Sequence, residues 1–173
     1  MLDVHSEVFA GKIVAEIVKV DESLSRSEAG SLDEAFSVIG EILGGGKVFV
    51  LGTSGKEGPW VASAYFAEEG TRIYCLLTHG TRTLENSKNN PSIAFCVDRQ
   101  VPDKFLQGRG IIEPLPDESE EKKKGESLLL KKIPEIAGFM KEPTYTICRV
   151  TPSELFVTDF SRGWFPAKVV EVE

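Results

Sequence analysis

The stretch KVFVLGTSGKEGPWVASAYFAEEGTRIYCLLT, residues 47–78, contains three apolar runs separated by two short polar turns. The runs are rich in β-branched and aromatic residues, which favour strands, and both turns contain the glycines that tight hairpins need. Three strands joined by two short turns form an antiparallel meander. The segment Thr53–Gly58 is therefore interpreted as a hairpin turn and not as a phosphate-binding loop, because no helix follows it.

Helices are predicted on both sides of this meander. Residues 8–19 place their apolar side chains on one face at helical spacing. A second helix begins at a capping box formed by Ser31 and Glu34 and ends at the three glycines 44–46. Further helices are expected over residues 81–89 and 117–132, the latter with Leu128, Leu129 and Leu130 as its apolar patch. The first 45 residues are thus expected to form a helical extension in front of a β domain that spans residues 46–173.

More strands follow the meander. Residues 92–97 and 104–115 have strand-like patterns, and residues 144–150 and 154–160 are interpreted as a final hairpin. Gly108 and Gly110 lie in the second of these strands, where a bulge or a close approach of another chain segment is expected. Six or seven antiparallel strands with helices between them predict a mainly β, small closed barrel, because closure removes exposed sheet edges.

Charge and composition exclude several functional classes. The formal charge is −7, from 20 basic and 27 acidic residues, which disfavours binding to nucleic acid or to an anionic membrane. The N-terminus lacks the pattern of a signal peptide and no apolar run reaches the length of a membrane helix, so we expect a cytoplasmic protein. The three cysteines are Cys75, Cys96 and Cys148; their odd number and spacing predict buried free thiols and no zinc site.

The residues after the meander form a candidate anion site. A helix predicted to begin at Thr81 directly follows a strand, and its first backbone N–H groups lack partners within the helix. Arg82 carries a planar guanidinium suited to phosphate oxygens, while Thr81 and Thr83 add hydroxyl groups. The alternative is that Thr81 only caps the helix and Arg82 pairs with an acid. Spacing alone leaves both interpretations open.

Two further positions are ambiguous. His79 follows the third strand, where it is either a haem ligand or proton donor, or a hydrogen-bonded turn residue. His5 lies far along the chain in the N-terminal region, so no two-histidine metal site is expected. Trp164 and Phe165 form an aromatic pair near the C-terminus that either covers an aromatic ligand, anchors a dimer, or plugs the barrel core. No serine has the surroundings of a catalytic nucleophile.

The order of these motifs resembles one protein superfamily. Residues 46–115, followed by RVTPSELFVTDFSRG, are similar to the pyridoxamine 5′-phosphate oxidase-related, FMN-binding split β-barrel superfamily. The resemblance implies a homodimer with FMN at the subunit interface, and a domain boundary at residue 46. It implies a phosphate site at Arg82 and Thr83, with Thr81 beside them. It further implies flavin contacts in two strands and at two later positions: Ala62, Ser63, Ala64, Tyr65, Leu76, Leu77, Lys104 and Trp164.

The sequence also departs from the superfamily pattern. Thr83 stands where many members have a lysine, which removes one positive charge from the phosphate site. The C-terminal arginine and histidine motif of true pyridoxamine phosphate oxidases is missing, so oxidation of vitamin B6 is not expected. The resemblance therefore predicts a flavin-dependent oxidoreductase that acts on a small molecule with an external electron donor. A deazaflavin cofactor, haem bound through His79, and a non-catalytic binding protein of the same fold are the alternatives; no side chain is an obvious catalytic acid or base.

Overall fold

A computed structural model describes residues 32–98, 103–141 and 144–172 of the chain. This part contains seven strands, three α-helices and two short 3-10 helices. The α-helices are α1 (Leu32–Gly45), α2 (Arg82–Asn89) and α3 (Glu120–Lys132), and the 3-10 helices span Pro134–Lys141 and Phe160–Arg162. The strands are β1 (Val48–Gly55), β2 (Gly58–Glu69), β3 (Arg72–Thr78), β4 (Ser92–Asp98), β5 (Lys104–Pro114), β6 (Tyr145–Asp159) and β7 (Trp164–Glu171). The predicted helix over residues 8–19, His5, and the Ser31 half of the capping box lie outside the described residues.

The seven strands form one antiparallel sheet in the order β3-β2-β1-β4-β5-β6-β7. An additional pairing between β3 and β6 closes the first six strands into a barrel, and β7 remains attached to β6. The β1–β2 and β2–β3 hairpins are those predicted from the sequence. The expected mainly β fold with a small antiparallel barrel is thus confirmed.

The barrel interior follows from the alternation of side chains along each strand. In β1, Phe49, Leu51 and Thr53 are buried while Val48 and Val50 are exposed, as expected for a strand with one face towards a core. Helix α1 adds five buried side chains to the cluster that contains the barrel residues: Ala35, Val38, Ile39, Ile42 and Leu43. The helix before the meander therefore belongs to the same hydrophobic core as the strands.

The predicted final hairpin is wrong. Residues 145–159 form one continuous strand of 15 residues, β6, which pairs with β3 through its first half and with β5 along most of its length. The residues Thr151 and Pro152 look like a turn in the sequence, but they pair with Ile111 and Gly110 of β5, beside a bulge in which Ser153 of β6 is the extra residue. A Cβ on Gly110 would collide with the Thr151 carbonyl oxygen, so the glycine permits the close approach. Close approach at this glycine was predicted, whereas the unbroken strand was not.

The real last hairpin joins β6 to β7. Its turn includes Gly163, which has a φ of 70°, a conformation that glycine adopts without strain. Strand β7 was not predicted. In α3, only Leu129 of the predicted leucine patch is fully buried; Leu128 is partly buried and Leu130 is 36% exposed. Among the described residues, no helix combines the length and apolar character needed to span a bilayer.

Candidate functional site

Strands β2 and β3 separate partway along their length. They pair only from Phe66 to Glu69 of β2 and from Arg72 to Cys75 of β3. Beyond Cys75, β3 keeps the pairing with β6 that it has from Ile73 onward but no longer pairs with β2, while residues 58–65 of β2 continue alongside β1. None of the strands in the described ranges pairs with the other edge of this part of β2. The barrel is therefore split here, and backbone N–H and C=O groups of β2 are available to a ligand.

The predicted flavin-contacting residues of β2 lie along this open edge. Ala64 faces the core, with 6% of its surface exposed, and Ala62 is partly buried on the same face. Ser63 and Tyr65 point to the opposite, outer face and are exposed. Because the side chains of Ala62 and Ala64 are small, they leave space for a flat ligand to approach the β2 backbone from the inner face.

Helix α2 begins at the end of the split, beside β3. The hydroxyl of Thr81 donates to the Thr78 carbonyl oxygen at 2.8 Å and accepts a hydrogen bond from the Leu84 amide at 3.4 Å. Thr81 is thus the helix cap, as one sequence interpretation proposed. Helix geometry leaves the amides of Arg82 and Thr83 without intrahelical partners, and the helix dipole adds partial positive charge there.

Arg82 extends from this helix start towards the β1–β2 turn. Its guanidinium carbon lies 4.6 Å from the centre of the Trp60 ring, a cation–π contact. The same group forms an ion pair with the carboxylate of Glu57 in the turn. The alternative interpretation, in which Arg82 pairs with an acid, is therefore confirmed, and anion binding by Arg82 stays a prediction.

Thr83 differs from Arg82 in its surroundings. Only 3% of Thr83 is exposed, and its carbonyl oxygen accepts a hydrogen bond from the Ser87 hydroxyl. The threonine side chain is directed into the protein and does not line the cavity next to Arg82. At residue 83, the backbone N–H group is therefore the donor that is left for binding an anion.

A cavity of about 370 Å³ lies between the β1–β2 turn and the start of α2. Its polar and charged lining residues are Lys56, Glu57, Arg82, Glu85, Asn86 and Asn89. A larger cavity of about 480 Å³ lies beside the β6 bulge. Its single charged lining residue is Arg109, which is engaged by Glu154. We therefore place the candidate anion site at α2.

The family follows from a match to known proteins. A model of the pyridoxamine 5′-phosphate oxidase family matches residues 38–159, more than half of the chain. The chain belongs to this family. No curated protein sequence matches it significantly.

Several solved structures have the same fold. HutZ, a haem storage protein from Vibrio cholerae, is 22% identical, with a TM-score of 0.62 over 70% of this chain and 93% of HutZ. General stress protein 26 from Bacillus anthracis is 18% identical, with a TM-score of 0.60 over 80% of this chain and 98% of that chain. An FAD-binding protein from Mesorhizobium loti is 18% identical, with a TM-score of 0.59 over 69% and 88% of the two chains. Identities this low show a shared fold.

The other residues that the family resemblance implied are spread over the barrel. Leu77 is 5% exposed in the barrel core, and Leu76 packs towards α3. Lys104 is near the opposite end of β4 from Arg82, where it contacts Glu41 at 3.1 Å and the buried Asp159 at 3.8 Å. Trp164 is 7% exposed and belongs to the core cluster, whereas the neighbouring Phe165 is 67% exposed. Within one subunit, the structure brings the β2 edge and Arg82 together but not Lys104 or Trp164.

His79 lies in the turn between β3 and α2. Its side chain is exposed, and its backbone amide donates to the Thr144 carbonyl oxygen at 2.8 Å. The pKa of the Asp117 carboxyl is lowered, mainly by a hydrogen bond from Lys122 and to a smaller extent by the charge of His79. His79 is therefore a hydrogen-bonded turn residue whose imidazole is accessible to a ligand.

Sequence reasoning missed three side chains that shape the site. Glu57 and Trp60 contact Arg82, and Asn86 lines the cavity from α2. Residues 57 and 60 lie 25 and 22 positions before Arg82. The sequence places them in a hairpin, but it does not show that the turn of this hairpin lies beside α2. Asn86 faces the same side of α2 as Arg82 because it follows at helical spacing, i and i+4.

The outer face of β1, β2 and β4 is apolar and exposed. Val48 pairs with Tyr65, Val50 with Ser63, and Gly52 with Val61 across the β1–β2 ladder. Val48, Val50, Val61 and Tyr65 are between 38% and 63% exposed. Ala94 and Cys96 of β4 continue the same surface. Contiguous apolar surface of this kind is typical of a protein interface.

Proposed function

We propose that this protein binds FMN in the split between β2 and β3 and is an FMN-dependent oxidoreductase that acts on a small molecule. The observation that carries the proposal is the open β2 edge, which runs towards a guanidinium fixed at a helix start. Such an arrangement offers backbone hydrogen bonds to a flat polar ring and a cation with helix amides to a phosphate. The family and the FAD-binding relative support a flavin as the ligand.

The residues present fit the two parts of FMN differently. Ala62 and Ala64 leave room beside the β2 backbone for the ring system, and the cavity of about 370 Å³ is large enough for a phosphate and part of its chain. Arg82 and the amides of residues 82 and 83 supply the phosphate donors. Thr83 brings no charge, so the start of α2 carries one cation where many family members have two.

The chain's own contribution is binding, orientation and exclusion of water. A bound flavin supplies the transfer of hydride or single electrons. Trp60 holds the Arg82 guanidinium in place by stacking, and the N-cap by Thr81 fixes the helix start that presents it. Since no side chain is an obvious catalytic acid or base, we assign substrate protonation to solvent or to the substrate itself.

We propose that two copies of the chain associate through the apolar face of β1, β2 and β4. Homo-oligomers are mostly twofold symmetric, so the same patch would meet itself. The proximity of this face to the β2 edge supports a flavin site to which both subunits contribute. Lys104 and Trp164, which lie away from Arg82 in one subunit, then belong to the partner's side of the site in this proposal.

The test is direct binding of FMN to purified protein. We expect the protein as isolated to carry a flavin, identified by extraction and mass spectrometry, or to bind added FMN at micromolar concentration. Arg82→Ala should weaken FMN binding by about 1.5–3 kcal/mol, because a charge-assisted phosphate contact is lost. Arg72→Ala is the matched control, since this exposed arginine lies at the far end of β3. Wild-type FMN affinity in Arg82→Ala would overturn the site, and absence of any flavin binding would overturn the function.

Haem is the second candidate ligand. The exposed imidazole of His79 beside the split favours it, as does the haem storage function of HutZ. An intense Soret band in the isolated protein, lost in His79→Ala, would support haem in place of FMN. A protein that binds neither ligand would instead be a non-catalytic member of the family.

A further inference from the structure

The guanidinium that is proposed to bind the flavin phosphate already contacts a carboxylate. Glu57 lies in the turn between β1 and β2 and forms its ion pair with the Nη2 atom of Arg82. The Trp60 ring covers one face of the guanidinium, so its polar edge is where Glu57 and a phosphate would both have to bind. A phosphate bound at Nη2 would therefore compete with Glu57 for this donor.

The charges around the cavity do not favour a dianion. Lys56 and Arg82 contribute two positive charges to the lining, and Glu57 and Glu85 contribute two negative charges. Glu85 is partly compensated by Lys88, 2.9 Å away. Thr83 adds a buried hydroxyl and no charge, so Arg82, which already pairs with Glu57, is the one cation in the first turn of α2. A phosphate that enters the cavity meets a site of nearly zero net charge.

We propose that Glu57 is a specificity-determining residue that competes with the phosphate of the flavin for Arg82. This inference rests on the proposed FMN site. Its consequence is that the phosphate adds less to affinity than Arg82 alone would supply, so that FMN exchanges with solution and the wild type discriminates between FMN and riboflavin less strongly than the Glu57→Gln variant. Flavin is then a dissociable ligand of this protein and not a permanent prosthetic group.

The position of Glu57 suits such competition. Its side chain is 72% exposed on a hairpin turn, so it can leave Arg82 without disturbing the core. An exposed ion pair is weak, and displacement by a phosphate is therefore feasible. The displaced carboxylate stays near the phosphate and repels it, an effect that salt screens. Glu57 thus lowers the affinity for a phosphate-bearing flavin and leaves the binding of the ring unaffected.

The experiment compares the binding of two flavins to the wild type and to three variants. Dissociation constants for FMN and riboflavin are measured by fluorescence titration on the wild type, Glu57→Gln, Arg82→Ala and the double variant. Glu57→Gln should tighten FMN binding by about three- to tenfold at low salt, with less gain at high salt. Riboflavin binding should stay within about twofold, because riboflavin lacks the phosphate. The double variant should gain less FMN affinity over Arg82→Ala than Glu57→Gln gains over the wild type, since competition needs the arginine and only the direct repulsion remains without it.

Glu69→Gln is the matched control. Glu69 is also an exposed glutamate in an ion pair, with Lys124 at 2.6 Å, but it lies at the opposite end of β2. It should leave both affinities unchanged. Unchanged or weaker FMN binding in Glu57→Gln, or equal tightening of riboflavin, would overturn the role of Glu57 while leaving the Arg82-dependent site intact. If the wild type binds neither flavin, the proposed function itself is overturned and this inference with it.

Discussion

The side-chain amide of Asn86 in α2 donates a hydrogen bond to the hydroxyl of Thr53 in β1, at a distance of 3.2 Å. Both side chains are buried, with 9% and 4% of their surfaces exposed. A buried polar pair of this kind costs stability if one partner is removed, so it fixes the helix relative to the strand. Because Arg82 begins the same helix, the Asn86–Thr53 bond also sets the position of the guanidinium.

Gly55→Ala tests this contact between helix and strand. A Cβ at residue 55 would overlap the side-chain oxygen of Asn86, which cannot turn away without losing Thr53. We expect a decrease of about 1–3 kcal/mol in the free energy of unfolding, measured by urea denaturation. Gly40→Ala is the control, because no atom lies within 4 Å of a Cβ at this helical position. It should increase stability by about 0.5–1 kcal/mol. Similar effects of the two substitutions would contradict the packing described.

Asp159→Asn should change how stability depends on pH. Burial alone raises the pKa of the Asp159 carboxyl, but a hydrogen bond from Ser161, the charge of Lys104 and backbone N–H groups outweigh burial and lower it. An aspartate whose pKa is lower in the folded state stabilises the fold above the ordinary value of 3.8, and this stabilisation is lost as the pH falls through the folded pKa. The wild type should therefore be more stable than the variant at neutral pH, with a difference that shrinks below about pH 4. Chemical denaturation between neutral and acidic pH measures it, and a constant difference would contradict the assignment.

Val61→Lys should separate the two subunits of the proposed dimer. Val61 is 63% exposed on the outer face of β2, so a lysine there leaves the core of one subunit intact but places like charges across a twofold interface. Phe139→Lys is a matched control, since Phe139 is 65% exposed in the 3-10 helix outside this face. Light scattering after size-exclusion chromatography should give a monomer for Val61→Lys and a dimer for Phe139→Lys. A monomeric wild type would disprove the interface.

Cys75 and Cys148 should resist alkylation in the native protein. They face each other across the β3–β6 seam, and both are fully buried. A hydrogen bond to Cys148, followed by burial, raises the pKa of the Cys75 thiol well above its ordinary value, so the reactive thiolate is scarce. Iodoacetamide labelling and peptide mapping should modify these two residues only after unfolding. Rapid labelling of either in the native state would show that the seam opens.

Local sequence patterns predicted most of the barrel but not the way in which it closes. Turn glycines and alternating residues located β1 to β5, because these signals lie within the strands and turns themselves. The continuity of β6 depends on Gly110, about 40 residues earlier, and β7 lacks strict alternation near Trp164. Contacts between distant segments leave no local signal, so Thr151 and Pro152 were taken for a turn.

The same limit applies to the site. The cap by Thr81 and the exposed position of Arg82 follow from the helix start, which the sequence shows. The contact between Glu57 and Arg82 depends on where the β1–β2 turn lies relative to α2. This is a tertiary contact, which local sequence does not predict. The burial of Thr83 depends on the rotation of α2 about its axis. The sequence of this short, polar helix has no apolar stripe that would predict this rotation.

The shared strand β6 has a consequence for the order of folding. Cys75 and Cys148 are neighbours in the seam but are separated by 73 positions in the chain (148 − 75). During synthesis, β1 to β5 leave the ribosome before β6, the strand that pairs with both β3 and β5. Until β6 is made, β3 and β5 are therefore the two unpaired edges of the sheet. Contacts of such high sequence separation slow folding and expose strand edges to other chains. A nascent chain stalled before residue 145 is therefore a species that chaperones would be expected to hold.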